Sequence, residues 1–161
     1  MTDVTRMKLL TNAVVTAANT LLREAGRLFK PFGLTAAHFN VLNLLHDVPD
    51  GLRPSDLARE MVVDPSSTTY VLDRMESSGW IRRVDDRSDR RVRRVRLTPA
   101  GRALHARVAL HYEAALRAML PAVGELALEP VLASVIGVQR AAAEAVTAAA
   151  RAGEQRRRRV R

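Results

Sequence analysis

Residues 52–98 read LRPSDLAREM (52–61), VVDPSSTTYVLDRMESSG (62–79) and WIRRVDDRSDRRVRRVRLT (80–98). Asp64 followed by Pro65 is a helix start: the carboxylate caps free N–H groups, and proline at the first helical position gives up a donor that has no partner there. Thr68, Val71, Leu72 and Met75 then recur at helical spacing as one apolar face, which leaves Ser66, Ser67, Thr69, Tyr70, Asp73 and Arg74 on the other side. Gly79 suits a left-handed C-terminal cap. Taken alone, this is an ordinary amphipathic helix with a solvated face. Its small hydrogen-bonding front would also fit a major groove.

The next residues separate the two readings. Trp80–Val84 and Val92–Leu97 are short strand-like runs; in the second, Val95 and Leu97 alternate with Arg94 and Arg96. Between them lies a charged hairpin tip. From Arg82 to Arg96 there are eight arginines and three aspartates. Like charge packed this densely repels itself unless a polyanion neutralises it. Arginine at a hairpin tip also suits the negative potential of a narrow minor groove. A solvated ribbon is the plainer reading of the hairpin by itself, but beside a helix-turn-helix a DNA-binding reading gains weight.

These residues resemble the winged-helix core of the MarR family of transcriptional regulators. The family's wing reads D-P-x-D-R-R followed by V-x-L-T-x-x-G. Asp86, Asp89, Arg90, Arg91, Val95, Leu97, Thr98 and Gly101 match it, while Arg87 replaces the proline. The family's T-R-L-V-D-R-L-E is here Thr69-Tyr70-Val71-Leu72-Asp73-Arg74-Met75-Glu76. Tyr70 stands where an arginine is common, so a contact made by that arginine does not carry over. The resemblance covers Leu34 to Gly101 closely; outside it rests on helix order and length.

The remainder of the chain reads as helices. Met7, Leu10, Val14, Ala17 and Leu21 repeat at spacings of three and four, Glu24 breaks the register once and Leu28 resumes it, so 4–30 is a long amphipathic helix ended by Pro31 and Gly33. At about 40 Å it is long for 161 residues, and its outer part needs a partner subunit to cover it. Thr35 caps a second helix bearing Phe39, Leu42 and Leu45; Pro54 opens a short third, through Met61. Thr98-Pro99 starts a helix to about Leu120, interrupted by Pro121 and Gly124, and a last helix runs from about Leu126 or Pro130 to Arg151. These terminal helices are rich in alanine, which permits close approach but buries little area per residue. The expected fold is therefore mainly α with a small β-wing. Residues 1–34 form an N-terminal dimerisation helix, 35–101 a winged helix-turn-helix core, 102–152 C-terminal dimerisation helices and 153–161 a basic disordered tail.

Composition points the same way. Net charge is +9 and the sequence pI about 11.3, which favours a polyanionic partner. Arginine outnumbers lysine 24 to 2, part of which reflects base composition. The absence of cysteine excludes disulfides, thiolate zinc sites and the thiol-based peroxide sensing used by some MarR-family members. The opening residues lack a signal-peptide pattern, and no run of about 18 apolar residues exists, so a cytoplasmic protein without membrane spans is expected.

No enzyme constellation is present: Ser66 and Ser67 have no histidine or acid arranged around them, and there is no glycine-rich phosphate loop. Zinc-binding members of the family use a glutamate of the first helix and histidines of the second and fifth. Glu24, His38 and His105 stand in that order. His105 and His111, however, are six apart and face different ways, whereas ligands on one helix want a spacing of three or four. No metal or cofactor is expected, and capping or isolated polar histidines are the simpler reading.

The resemblance implies a homodimeric, sequence-specific regulator on double-stranded DNA with a palindromic operator. Repression would be relieved by a small aromatic or phenolic effector whose contacts the sequence does not assign. In that reading Ser66, Ser67, Thr69 and Tyr70 lie nearest base edges; Arg74, Arg53 and Ser55 hold phosphates; Arg90 and Arg91, with Arg87, enter the minor groove; and Asp89 pairs with Arg91 and orients it. A nonspecific architectural DNA binder is the alternative, and a winged helix used for protein contacts a second.

Overall fold

A computed structural model describes residues 2–61, 65–86, 92–124 and 128–159 of the chain, with the side chains of 65, 66, 122, 146, 147 and 149 onward left aside. The element order is α1 (Asp3–Phe29), a short 3-10 turn (Lys30–Phe32), α2 (Ala36–His46), α3 (Pro54–Glu60), α4 (Pro65–Ser77), β1 (Ile81–Asp85), β2 (Arg93–Leu97), α5 (Pro99–Val123) and α6 (Leu128–Arg159). Two compact units result: Asn19–Met119, and Met1–Ala18 together with Leu120–Arg161.

The first unit holds the buried core. Phe39, Val41, Leu42 and Leu45 of α2, Leu57 of α3, Val71, Leu72 and Met75 of α4, and Ile81, Val95 and Leu97 of the ribbon close over Phe29, Leu104 and Val108 from the flanking helices. Burial on this scale is the main stabilising term. β1 and β2 pair antiparallel, with Ile81 opposite Leu97, Arg83 opposite Val95 and Asp85 opposite Arg93. Leu52 adds a one-residue third strand: its N–H donates to the Val95 carbonyl at 3.1 Å, and the Val95 N–H donates back at 2.7 Å.

The helix ends follow local chemistry. Thr35 Oγ1 accepts the His38 N–H and His38 Nδ1 accepts the Thr35 N–H, each at 3.2 Å, which makes a reciprocal capping box with histidine in place of glutamate. α4 closes in a Schellman turn. Gly79 sits at φ 73°, its N–H donates to the Glu76 carbonyl, and the Trp80 N–H donates to the Met75 carbonyl. Thr98 caps α5 by accepting the Gly101 N–H at 3.0 Å.

Three expectations are corrected. Pro121 does not interrupt α5: it removes one bond, to the Arg117 carbonyl, and the helix continues to Val123 before the turn at Gly124. The segment 153–161, expected to be disordered, continues α6 as far as Arg159. The alanine-rich run before it propagates helix at low entropic cost, arginine and glutamate are good helix formers, and the single Gly153 costs only about 1 kcal/mol. The strands begin one residue later than expected, at Ile81 and Arg93.

In the second unit, Leu10 and Val14 of α1 and Pro130, Val131, Ser134, Val135 and Val138 of α6 line an apolar groove of about 260 Å³. Met7, Leu9, Leu128 and Leu132 are each more than half exposed. For a single chain that is a large uncovered apolar surface.

Two buried histidines tie the first unit to pH. Burial, and then the Arg74 guanidinium, hold the His38 imidazole below its ordinary pKa. Burial and then His46, partly opposed by Asp47, do the same for His105. His105 Nε2 donates to Asn43 Oδ1 at 2.7 Å, and its buried Nδ1 has no partner among the described residues. Both residues therefore fold as neutral imidazoles, and protonating His38 would also break its bond from the Thr35 N–H. A histidine whose folded pKa is depressed contributes stability that is fully present above its unfolded value of about 6.5 and is lost as pH falls below it. The melting temperature is expected to drop between about pH 7.5 and about pH 5.5, and less steeply in a His105→Asn variant. A flat profile in the wild type would contradict this.

Candidate nucleic-acid interface

The buried side of α4 carries Thr68, Val71, Leu72 and Met75, and the outer side carries Ser67, Thr69, Tyr70, Asp73 and Arg74. This division follows from the 3.6-residue period. Tyr70 is 73% exposed, an unusual cost for an aromatic ring. The Ser66 side chain lies outside the described residues, though its backbone belongs to α4. α3 packs against α4. Arg53 stands at the α3 N-cap, makes no capping bond and is exposed, as is Ser55. These residues present hydroxyls, a phenol and two guanidinium groups on exposed surface, a set suited to phosphates and base edges. Arg87, Asp89, Arg90 and Arg91, expected to form and orient the wing tip, lie outside the described residues.

The ribbon differs from its sequence reading in one respect. Its charge was expected to need a polyanion, but carboxylates of the chain already neutralise much of it. Arg83 is bound by Asp73 at 2.5 Å and by Glu76; Arg94 by Asp86; Arg96 by Asp50 at 3.2 Å; and Arg93 lies 3.7 Å from Asp85. Arg94 also donates to the Gly51 carbonyl at 2.9 Å, and Arg96 to the Asp50 carbonyl at 2.9 Å. Burial pulls the Arg83 guanidinium toward deprotonation, but its bonds to Asp73 and Glu76 outweigh that and raise its pKa. Arg94 is likewise raised, by Asp86 first. Arg83, Arg94 and Arg96 hold the ribbon to the lobe. Arg82, exposed and without a carboxylate partner among the described residues, is the β1 arginine still available to a ligand.

Asp50, Asp73, Glu76 and Asp86 were thus missing from the sequence reading as organisers of the site. The candidate zinc residues are occupied otherwise: Glu24 pairs with Arg27 at 3.1 Å, His38 caps α2 and His105 bonds Asn43. Among the described residues no group of three or more His, Cys, Asp or Glu is placed to hold a metal, and no helix is long and apolar enough to cross a membrane.

Residues 32–92 match the model of the MarR family. The chain is 34% identical over 88 residues to the HTH-type transcriptional regulator PecS of Dickeya dadantii (strain 3937), which covers 53% of each protein. It spans about half the length of the curated relatives it matches. Among solved structures, it superposes on the transcriptional regulator BldR of Sulfolobus solfataricus with a TM-score of 0.76 at 25% identity, over 87% of this chain and 99% of that one. It superposes on AbsC, a MarR family transcriptional regulator from Streptomyces coelicolor, with a TM-score of 0.70 at 28% identity, over 89% and 95%.

Proposed function

We propose that this chain, whose residues 32–92 match the MarR-family model and which superposes on a MarR family transcriptional regulator, is a non-enzymatic, sequence-specific regulator of transcription that binds a palindromic operator as a homodimer. One observation carries this reading: α4 exposes Ser67, Thr69, Tyr70 and Arg74 while its opposite face is sealed into the core. A helix so anchored can enter a major groove without distorting the lobe. In this reading Ser66, Ser67, Thr69 and Tyr70 meet base edges. Arg53, Ser55 and Arg74 hold phosphates. Arg87, Arg90 and Arg91 reach the minor groove, with Asp89 orienting Arg91. The pinning of Arg83, Arg94 and Arg96 leaves less free charge for a sequence-blind grip, which favours specific over architectural binding.

The exposed apolar side chains of α1 and α6 support dimerisation, with residues 35–101 as the DNA-binding part and the flanking helices as the interface. Two-fold symmetry then sets the half-sites about one helical turn apart. The family resemblance supports a repressor released by a small aromatic or phenolic effector. A cavity of about 150 Å³ between Phe29, Phe39, Tyr112, Leu22 and Asn43 supports an effector with a single ring.

The test is a titration against the chain's own promoter region and a scrambled duplex of equal length, at two salt concentrations. Promoter binding at least about a thousandfold tighter, with two chains per site, is the expected result. Equal binding to both duplexes would put the architectural reading ahead.

A further inference from the structure

We propose that Arg83 is a positioning residue that couples the ribbon to α4, holding the two at the offset that adjacent grooves of one duplex demand. The proposal rests on the DNA-binding reading above.

The register places Arg83 on the same face of the ribbon as Ile81, Val95 and Leu97. That face is the buried one, and α4 packs against β1. Arg83 is therefore an arginine on the core side, with its side chain only 22% exposed. Both terminal nitrogens of its fork are engaged. One terminal nitrogen donates to Asp73 Oδ1 at 2.5 Å and the other to Glu76 Oε2, while the second Glu76 oxygen accepts the Arg83 backbone N–H at 3.0 Å. One carboxylate thus grips both the main chain and the side chain of β1. Asp73 and Glu76 lie three residues apart, so the two anchors span one turn of the helix on which the base-reading residues sit.

Other uses of Arg83 fit less well. A phosphate ligand needs an open guanidinium, and this one is occupied by two carboxylates. Arg94 and Arg96 tie the ribbon to the turn at Asp50 and Gly51, so these bonds fix the wing to the lobe and not to α4. Among the described ribbon arginines, Arg83 links the groove-reading helix to the wing. It also offsets the charge of Asp73, 59% exposed, and of Glu76, which would otherwise face a polyanion uncompensated. The planar fork matters: a lysine ammonium can satisfy one carboxylate but cannot span both in a fixed plane.

The experiment compares the full-length wild type with Arg83→Gln, Arg83→Lys, Glu76→Gln and the Glu76→Gln/Arg83→Gln double variant. The DNA is the promoter duplex of the titration above, and the readouts are affinity, salt slope and a hydroxyl-radical footprint. Arg83→Gln is expected to weaken binding on the order of tenfold to hundredfold, the worth of one groove contact. Its footprint should lose the flanking protection, where the wing lies, and keep the central backbone protection, where α4 lies. Arg83→Lys should recover part of the affinity, and the double variant should be no weaker than Arg83→Gln, because the two groups act as a unit. If Arg83→Gln does not melt cooperatively, Glu76→Gln carries the comparison, with loss of flanking protection as the supporting result. An unchanged footprint would overturn the coupling. So would uniform loss over the whole footprint with a salt slope lower by about one, the mark of a direct phosphate contact. A wild type that binds promoter and scrambled duplex equally would overturn the DNA-regulator reading and the coupling together. A specific wild type with an indifferent Arg83 would overturn the coupling alone.

Discussion

Gly101→Val is expected to lower the melting temperature by about 10 °C, through a loss of about 3 kcal/mol. Gly101 lies in the first turn of α5, on the Gly79–Trp80 turn that ends α4. A Cβ there would run into the Trp80 carbonyl oxygen, well inside contact distance, with the carbonyl carbon at 2.9 Å. The obstacle is backbone, and it is held in place: Thr98 Oγ1 donates to the Gly79 carbonyl at 2.6 Å, and the Thr98 N–H donates to the Trp80 carbonyl at 3.0 Å. Neither side can yield without parting α5 from the end of α4. The loss is a large share of the roughly 5–15 kcal/mol that holds a domain together. Thermal melts of wild type, Gly101→Ala and Gly101→Val should fall in that order. A valine variant within a few degrees of wild type would mean that the helix start can move away cheaply.

Replacing Leu72 by alanine should cost roughly 2–5 kcal/mol. Leu72 is 1% exposed on the sealed side of α4, among core residues that include Val71, Met75 and Leu57. Removing most of the side chain forfeits its transfer free energy and leaves a cavity that a core drawn from several elements cannot fill. Thr69→Ala, on the exposed side of the same helix, should change stability by no more than about 0.5 kcal/mol. In urea unfolding the alanine at 72 should shift the midpoint with little change in slope. The pair of variants tests the two-sidedness of α4 directly. A Leu72→Ala cost below about 1 kcal/mol, or a Thr69→Ala cost as large, would show that the face assignment is wrong.

The exposed side of α4 and the ribbon were legible to different degrees. For α4 the period of Thr68, Val71, Leu72 and Met75 identified the buried side, and the same arithmetic left Ser67, Thr69, Tyr70 and Arg74 outside, where the structure puts them. The start at Pro65 and the left-handed Gly79 also followed from capping chemistry. For the ribbon, alternation correctly separated Val95 and Leu97 from Arg94 and Arg96. It said nothing of what those arginines touch, and a count of charges over fifteen residues took as available to a polyanion several groups that the fold uses for itself.

What the sequence determined by itself is local: the helix starts at Thr35, Pro54, Pro65 and Thr98, the apolar back of α4, and the two-stranded ribbon, each read from periodicity or from a cap within a few residues. The family pattern added Gly101 without a reason for it, and the reason appears only once α5 is laid on the Trp80 carbonyl. Tertiary structure alone decided which carboxylate each arginine meets. Arg83 finds Glu76 seven residues back, Arg96 finds Asp50 at a separation of 46, and His105 finds Asn43 at a separation of 62. An amphipathic period is written in the chain because it repeats. A charge pair depends on where two distant points are brought together, and carboxylates that look interchangeable in sequence are sorted only by the packing that places them within reach.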